Sequence, residues 1–161
     1  DMTPEEAVVQ SLLKQNKTLA TAESCTGGLI AKRITDVPGA SAVFECGIVS
    51  YSNRIKSKVL GVREETLKAY GAVSEQTARE MAEGALRISG ADLAVSVTGI
   101  AGPDADGTDK PVGLVYIALS DGKTTKVQKI CNSFTENVRE QNRNAAAQFA
   151  LDWIRRWLND V

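Results

Sequence analysis

Segments with strand patterns and segments with helical patterns follow one another along this chain, and their order limits the folds it can adopt. Alternating or continuously apolar runs predict strands, and the last two flank the turn Ser120-Asp121-Gly122, which predicts a hairpin. Strands that alternate with helices form a parallel sheet covered by helices, and a hairpin adds antiparallel strands. The sequence therefore predicts an α/β layered sandwich with a mixed β-sheet flanked by helices. The strand patterns cover residues 18–22, 43–51, 93–97, 112–119 and 126–131.

The helical patterns between these strands have clear beginnings. Thr3, Pro4 and Glu6 give the first helix a capping residue, a proline at its first position and the acidic partner of a capping box. Ser74 is a suitable cap for a later helix. Because the chain has 161 residues and no linker or repeat, we expect one domain that covers residues 1–161. The helical patterns cover residues 4–15, 29–34, 53–70 with interruptions, 75–86 and 135–158.

A second feature, the absence of histidine, limits the catalytic mechanisms and metal sites that this chain can have. It excludes a Ser-His-Asp triad, a Cys-His pair and histidine-ligated metal sites within this chain. The net charge is -1, and no block of lysine and arginine dominates, so we expect neither a nucleic acid nor an anionic membrane as a partner. No apolar run approaches the ~20 residues that a transmembrane helix needs.

The cysteines give information about the compartment. Cys25, Cys46 and Cys131 are odd in number and widely spaced, and they form no CxxC pair. This usage is typical of reduced thiols in a cytoplasmic protein, and not of a disulfide framework or a zinc site. We therefore expect a cytoplasmic protein without a metal site.

The sequence TAESCTGG at residues 21–28 is the first segment with chemical potential, because it joins a predicted strand to a predicted helix. Such a turn exposes its apex and directs the free amides of the helix towards a bound group. Ser24 is thus a candidate nucleophile, with an oxyanion hole from the amides that follow it. Cys25 is a competing nucleophile. The alternative is structural: the hydroxyl groups cap the helix, and the glycines let it pack on the sheet.

A basic segment, YSNRIKSK at residues 51–58, follows the second predicted strand. Without histidine, Lys56 is the candidate base for a serine, provided that its pKa falls from about 10.4 towards 7–8. We expect Arg54 and Lys58 to lower that pKa, and Tyr51 to pass a proton or to hold the lysine through its phenol oxygen. The alternative is a solvated basic helix start.

The third segment, residues 98–113, is a glycine-rich loop after a buried strand. Its backbone amides could line the phosphate or ribose of a nucleotide. Asp104 and Asp106 in such a loop are an alternative pattern for Ca²⁺, but the rest of an EF-hand pattern is missing, so this signal is weak and we expect no metal site. A turn-rich connection without ligand contact is the structural alternative.

Four motifs in this order resemble one known family: TAESCTGG, CGIVSYSNRIK at residues 46–56, YGAVSEQTA at residues 70–78 and TGIAGPDADGTDKPVGLVY at residues 98–116. The chain resembles the C-terminal domain of the competence/damage-inducible protein CinA from about residue 4 to residue 158. Stand-alone members of that family act as nicotinamide-nucleotide amidases. The resemblance implies hydrolysis of nicotinamide mononucleotide to nicotinic acid mononucleotide and ammonia, with no cofactor.

The resemblance also implies the site residues. The family's catalytic serine, tyrosine and lysine fall on Ser24, Tyr51 and Lys56. The family's Gly-Asp-Arg segment before the last helix is shortened here to FTENVR, although Arg139 still matches the arginine of that helix. Tyr70 stands where the family often has histidine. The expected substrate-binding residues are Cys25, Thr26, Gly27, Gly28, Asn53, Gly99, Ala101, Gly102 and Arg139.

Two other functions remain open at this stage. The chain could be a nucleotide-binding or regulatory domain without catalysis, or an amidase for another small amide. The set formed by Ser24, Tyr51 and Lys56 favours an enzyme, because simple binding needs no nucleophile. The expected partner is a small-molecule substrate, and the sequence leaves open whether the chain forms homo-oligomers.

Overall fold

The computed structural model describes residues 1–159, so Asp160 and Val161, which the predicted domain includes, lie outside the described residues. One five-stranded sheet has the order β2-β1-β3-β4-β5. Strand β1 pairs in parallel with β2 and β3, whereas β3, β4 and β5 pair in antiparallel fashion. The predicted mixed sheet is therefore confirmed. The strands are β1 (Leu19–Glu23), β2 (Phe44–Val49), β3 (Leu93–Gly99), β4 (Leu114–Ser120) and β5 (Thr125–Cys131).

The helices begin where the capping residues predict. Thr3 and Glu6 form the capping box, and the Ser74 hydroxyl accepts a hydrogen bond from the Thr77 amide. The predicted interrupted helix divides into two at residues 59–63. The last helix begins three residues later than predicted, after Asn137, whose φ of 44° is left-handed. The helices are α1 (Pro4–Gln15), α2 (Leu29–Thr35), α3 (Asn53–Lys58), α4 (Glu64–Tyr70), α5 (Glu75–Ser89) and α6 (Val138–Asn159), with a 3₁₀ turn at Ala40–Ala42.

Helices cover both faces of the sheet, because successive strand residues point to opposite sides. In β1, Leu19 belongs to a large apolar cluster with α1, α2 and α6, whereas Ala20 and Ala22 pack with α5 and the segment after α3. Strand β1 is buried throughout, and β2, at the edge, alternates between half-buried and exposed residues. The central strands are thus shielded on both faces, as parallel strands in a layered α/β fold are.

Strand β2 is shorter than predicted, because Ser50 and Tyr51 leave the ladder and lead into the first turn of α3. The Ser52 hydroxyl accepts a hydrogen bond from the Ile55 amide and begins that helix. No helix within residues 1–159 is both long enough and apolar enough to cross a membrane.

Candidate active site

The candidate nucleophile and the candidate base come from neighbouring parallel strands. Ser24 directly follows β1, and its amide donates a 2.9 Å hydrogen bond to the Val97 carbonyl of β3. Ser50 directly follows β2, and its amide donates to the Glu23 carbonyl at 2.9 Å. These bonds hold the carboxyl ends of three strands together at one edge of the sheet, where α/β proteins bind ligands.

Lys56 and Ser24 contact each other within this edge. The Lys56 Nζ lies 2.9 Å from the Ser24 Oγ, 3.0 Å from the Ser50 carbonyl oxygen and 3.2 Å from the Tyr51 carbonyl oxygen. The lysine is 1% exposed and the serine 8%. A neutral amine has two N–H donors and one lone pair. With both donors on the carbonyls, the lone pair faces the serine hydroxyl, which is the geometry a general base needs.

Burial makes Lys56 available as a base near neutral pH. Loss of solvation lowers the pKa of Lys56 from 10.5 to about 8, since a charged ammonium is disfavoured away from water. We expected Arg54 and Lys58 to cause this shift, and that expectation is wrong: both are exposed, and burial is the main cause. The lysine is therefore partly neutral near pH 7 without any help from neighbouring cations.

Glu23 organises the turn that carries Ser24, a role that the sequence analysis missed. Its carboxylate is 1% exposed and accepts hydrogen bonds from the Thr26 hydroxyl at 2.6 Å and from the Ile30 and Ala31 amides at 2.9 and 3.0 Å. Gly28 is the N-cap residue of α2, and it has no side chain to cap the helix. The carboxylate takes the place of that cap. The sequence does contain a signal for this role, namely an acidic residue a few positions before a helix whose N-cap residue is glycine.

The turn itself has amides available for a developing oxyanion. The Gly27 amide donates to the Ser24 carbonyl at 3.0 Å. Within the part of the chain that the structure describes, the amides of Cys25, Thr26 and Gly28 donate to no protein acceptor. Gly27 and Gly28 have φ values of 60° and 101°, which residues with a side chain rarely adopt. Amides that follow a nucleophile in this way can stabilise negative charge on a substrate oxygen.

Cys25 differs sharply from a catalytic thiol. It is 7% exposed, and burial raises the pKa of its thiol from 9.0 to about 12. A thiol with this pKa remains protonated at neutral pH and is a poor nucleophile. The geometry thus favours Ser24 over its neighbour.

Tyr51 is oriented differently from the sequence prediction. Its phenol oxygen accepts a 2.8 Å hydrogen bond from the Arg139 Nη2, and only its main-chain carbonyl contacts Lys56. The prediction that the phenol holds the lysine is therefore wrong in this structure. The Arg139 Nη1 also donates to the Gly102 carbonyl at 2.7 Å. Arg139 thus links the start of α6 to both strand-end segments.

The glycine-rich loop approaches the site through its main chain. Gly99 ends β3, and the Ala101 carbonyl accepts a 2.9 Å hydrogen bond from the Asn142 side chain. Arg143 donates to the Thr26 carbonyl at 3.2 Å and packs against Gly27. Asn142 and Arg143 were not predicted from the sequence, because only the packing of the first turns of α6 brings them to this edge.

Asn53 and Asp106 make no hydrogen bond to Ser24 or Lys56 within the described residues. Asn53 is exposed and lines a 390 Å³ pocket between α3 and α4 that neither residue of the pair lines. Asp106 accepts hydrogen bonds from the Thr108 amide and hydroxyl and closes its own turn. Among residues 1–159, no three Cys, Asp or Glu side chains form a group that could hold a metal ion.

Comparison with protein families gives one match over almost the entire chain. The family model described as the CinA C-terminal domain matches residues 1–158. Relatives named CinA-like protein from Syntrophomonas wolfei and Kosmotoga olearia are 52% and 51% identical over 153 and 154 residues, which are 95% and 96% of this chain. These alignments cover 36% and 37% of the two relatives.

Solved structures of similar proteins share the fold. The competence/damage inducible protein CihA from Agrobacterium tumefaciens has a TM-score of 0.89 and 41% identity, over 97% of this chain and 95% of that one. A competence-damaged protein (CinA) superfamily protein from Klebsiella pneumoniae has a TM-score of 0.92 and 31% identity, over 99% and 100%. The chain thus matches full chains among solved structures, although it spans only about 38% of the first curated relatives.

Proposed function

This chain belongs to the CinA C-terminal domain family, and from that premise we propose that it is a serine amidohydrolase that hydrolyses the carboxamide of nicotinamide mononucleotide. One observation carries the proposal: a buried lysine with a pKa of about 8 lies 2.9 Å from a serine hydroxyl at the carboxyl ends of parallel strands. A serine without histidine needs such a base to attack an amide. The identity of the amide rests on the family resemblance.

In the proposed acylation step, neutral Lys56 removes the proton of Ser24 as the serine oxygen attacks the carboxamide carbon. With a pKa of about 8, roughly one lysine in ten is neutral at pH 7. The amides of Cys25, Thr26 and Gly28 are the candidate donors for the oxyanion, and each such donor typically contributes about 3–4 kcal/mol. The ammonium of Lys56 then gives its proton to the departing nitrogen, and ammonia leaves.

In the proposed deacylation step, Lys56 and Ser24 exchange a proton in the direction opposite to that of acylation. Lys56, again neutral, removes a proton from a water molecule that attacks the acyl-enzyme, and the ammonium returns a proton to the Ser24 oxygen. The products are nicotinic acid mononucleotide and free enzyme. Because Ser24 and Lys56 supply both nucleophile and base, the proposed reaction uses no metal or organic cofactor.

The direct test is incubation of the purified protein with nicotinamide mononucleotide, with measurement of ammonia and of the acid product. We expect both products in equal amounts from the wild-type chain and neither from Ser24→Ala. The same variant is expected to bind the substrate with little loss of affinity, because the hydroxyl forms the new bond and contributes little ground-state affinity. Turnover by Ser24→Ala at the wild-type rate would refute the assignment of the nucleophile.

A second candidate function is nucleotide binding without turnover, in a regulatory role. It draws support from the length of the relatives, of which this domain spans only about 38%. Binding of nicotinamide mononucleotide with no ammonia release, by wild type as well as by Ser24→Ala, would favour it. Turnover of another small amide, with nicotinamide mononucleotide inert, would retain the mechanism and change the substrate.

The proposal includes a cytoplasmic location and a small-molecule partner. Cys25, Cys46 and Cys131 are all free, as thiols are in a reducing compartment.

A further inference from the structure

Arg139 is a fixed but exposed cation at the edge of the candidate active site. One guanidinium nitrogen donates to the Gly102 carbonyl at 2.7 Å, and the other donates to the Tyr51 phenol oxygen at 2.8 Å. These two bonds use two of the five N–H donors of the guanidinium. The side chain remains exposed, so its other donors face solvent beside the site.

Among residues 1–159, no carboxylate forms an ion pair with this guanidinium. Among the described residues, the ion pairs with N–O distances up to 4.0 Å involve Lys32, Arg33, Arg63 and Arg79, and Arg139 is in none of them. Its two protein partners are neutral oxygens. Such partners orient a guanidinium without cancelling its charge, and a planar cation held in this way suits bidentate binding of a phosphate.

We propose that Arg139 is the subsite for the phosphate of a mononucleotide substrate, and that the Tyr51 phenol is a positioning residue that holds this arginine. The inference rests on the proposed function, and it states which part of the substrate Arg139 recognises. Lys56 and Arg139 both contact Tyr51, the lysine through its carbonyl and the arginine through its phenol. One residue therefore joins the reacting end of the site to the anion-binding end. Tyr51 transfers no proton in this arrangement.

Discrimination between a phosphorylated substrate and its dephosphorylated form tests this subsite. Turnover of nicotinamide mononucleotide is compared with turnover of nicotinamide riboside, which has the same carboxamide and no phosphate. For Arg139→Gln we expect KM for the mononucleotide to rise about 10- to 100-fold, because charge-assisted hydrogen bonds are lost, with kcat changed much less. For the riboside we expect kcat/KM to stay within about twofold of wild type.

Tyr51→Phe removes the phenol oxygen and keeps the ring. We expect the same pattern with a smaller rise in KM, and a pH profile identical to that of wild type, because the phenol relays no proton. The matched control is Arg156→Gln, which removes an exposed arginine from the far end of the same helix and is expected to leave both substrates unchanged. A fall in kcat of Tyr51→Phe with both substrates, or a shifted pH profile, would overturn the positioning role.

The subsite has a test that does not depend on turnover. Titration of inorganic phosphate into wild-type protein, followed by the NMR signals of arginine side chains, is expected to show saturable binding that Arg139→Gln abolishes and Arg156→Gln retains. Equal phosphate binding by all three proteins would overturn the subsite. If no amide is hydrolysed but phosphate binding depends on Arg139, the amidase proposal fails and the subsite stands. If mononucleotide and riboside lose kcat/KM equally in Arg139→Gln, the subsite fails and the amidase stands.

Discussion

Two lysines in this molecule have similar main-chain partners but very different surroundings. Lys56 donates to the carbonyls of Ser50 and Tyr51 and also contacts a hydroxyl, and it is 1% exposed. Lys110, in the glycine-rich loop, donates to two main-chain carbonyls as well, but it is only half-buried. Carbonyl partners alone therefore do not make a lysine a base. Burial and an adjacent hydroxyl distinguish the Lys56 region from the Lys110 region.

Substitution of the nucleophile is expected to give the largest difference in kcat between the surroundings of Lys56 and those of Lys110. Ser24→Ala is expected to lower kcat by about 10⁴-fold or more, because the attacking oxygen is removed. The control beside Lys110 is Ser74→Ala, which removes the cap of α5 and is expected to cost about 1 kcal/mol of stability with little change in kcat. Steady-state rates and thermal unfolding of both variants provide the measurement. Comparable rate losses in the two variants would show that the Ser24 hydroxyl is not the nucleophile.

Substitution of each lysine tests directly whether Lys56 acts as a base and Lys110 does not. Lys56→Arg keeps the positive charge, but a guanidinium does not deprotonate in a protein, so we expect a loss of about 10²- to 10⁴-fold in kcat. Lys110→Arg is expected to remain within about threefold of wild type. Lys58→Arg, on the exposed face of α3, is a further control. If Lys56→Arg retains the activity of Lys110→Arg, Lys56 supplies only charge, and the base is another group.

The pH dependence of the rate reports the same difference. Because the folded pKa of Lys56 is about 8 and only the neutral amine accepts a proton, kcat/KM is expected to rise about tenfold per pH unit below about pH 7, less steeply towards pH 8, and to level off above it. From pH 6 to pH 8 the expected increase is therefore roughly 50-fold. Lys110→Arg is expected to retain the wild-type profile. A flat profile between pH 6 and pH 8 in wild type would contradict a lysine base.

Cys25 gives the smallest expected effect, although it adjoins the nucleophile. Its thiol is buried and protonated, so Cys25→Ala is expected to lose less than tenfold in kcat, which is under ~1.4 kcal/mol. Cys131→Ala, an exposed cysteine in β5, is the matched control. Complete inactivation by a thiol reagent that spares Cys25→Ala would move the nucleophile from the serine to the thiol.

The sequence predicted those parts of the fold and site that depend on local patterns and on chain order. Alternating strands and helices predicted the mixed sheet, and parallel strands that end at one edge brought Ser24 and Lys56 together. The cause of the lysine's lowered pKa was predicted wrongly, because neighbours in sequence are not its neighbours in space. Its burial depends on packing around α3, which no local pattern encodes.

Contacts between distant parts of the chain explain the other differences. The Tyr51 phenol meets Arg139, which is 88 residues away, and a motif gives no direction for an exposed tyrosine ring. Glu23 caps α2 from the end of β1, a contact that depends on the shape of the turn between them. The sequence thus identified residue types at the site and left their orientations to the tertiary structure.

The position of β2 at the edge of the sheet affects how the active-site geometry is lost when the protein begins to unfold. The nucleophile follows β1, a strand with neighbours on both sides, whereas the base is carried by the helix that follows β2, which among the described strands pairs with β1 alone. Edge segments open by local unfolding at a lower free energy than the core. Amide hydrogens of β2 and α3 are therefore expected to exchange with solvent before those of β1 and β3. Under mild denaturant, we expect the lysine to separate from the serine while the central strands are still folded, so that activity is lost before the cooperative unfolding transition.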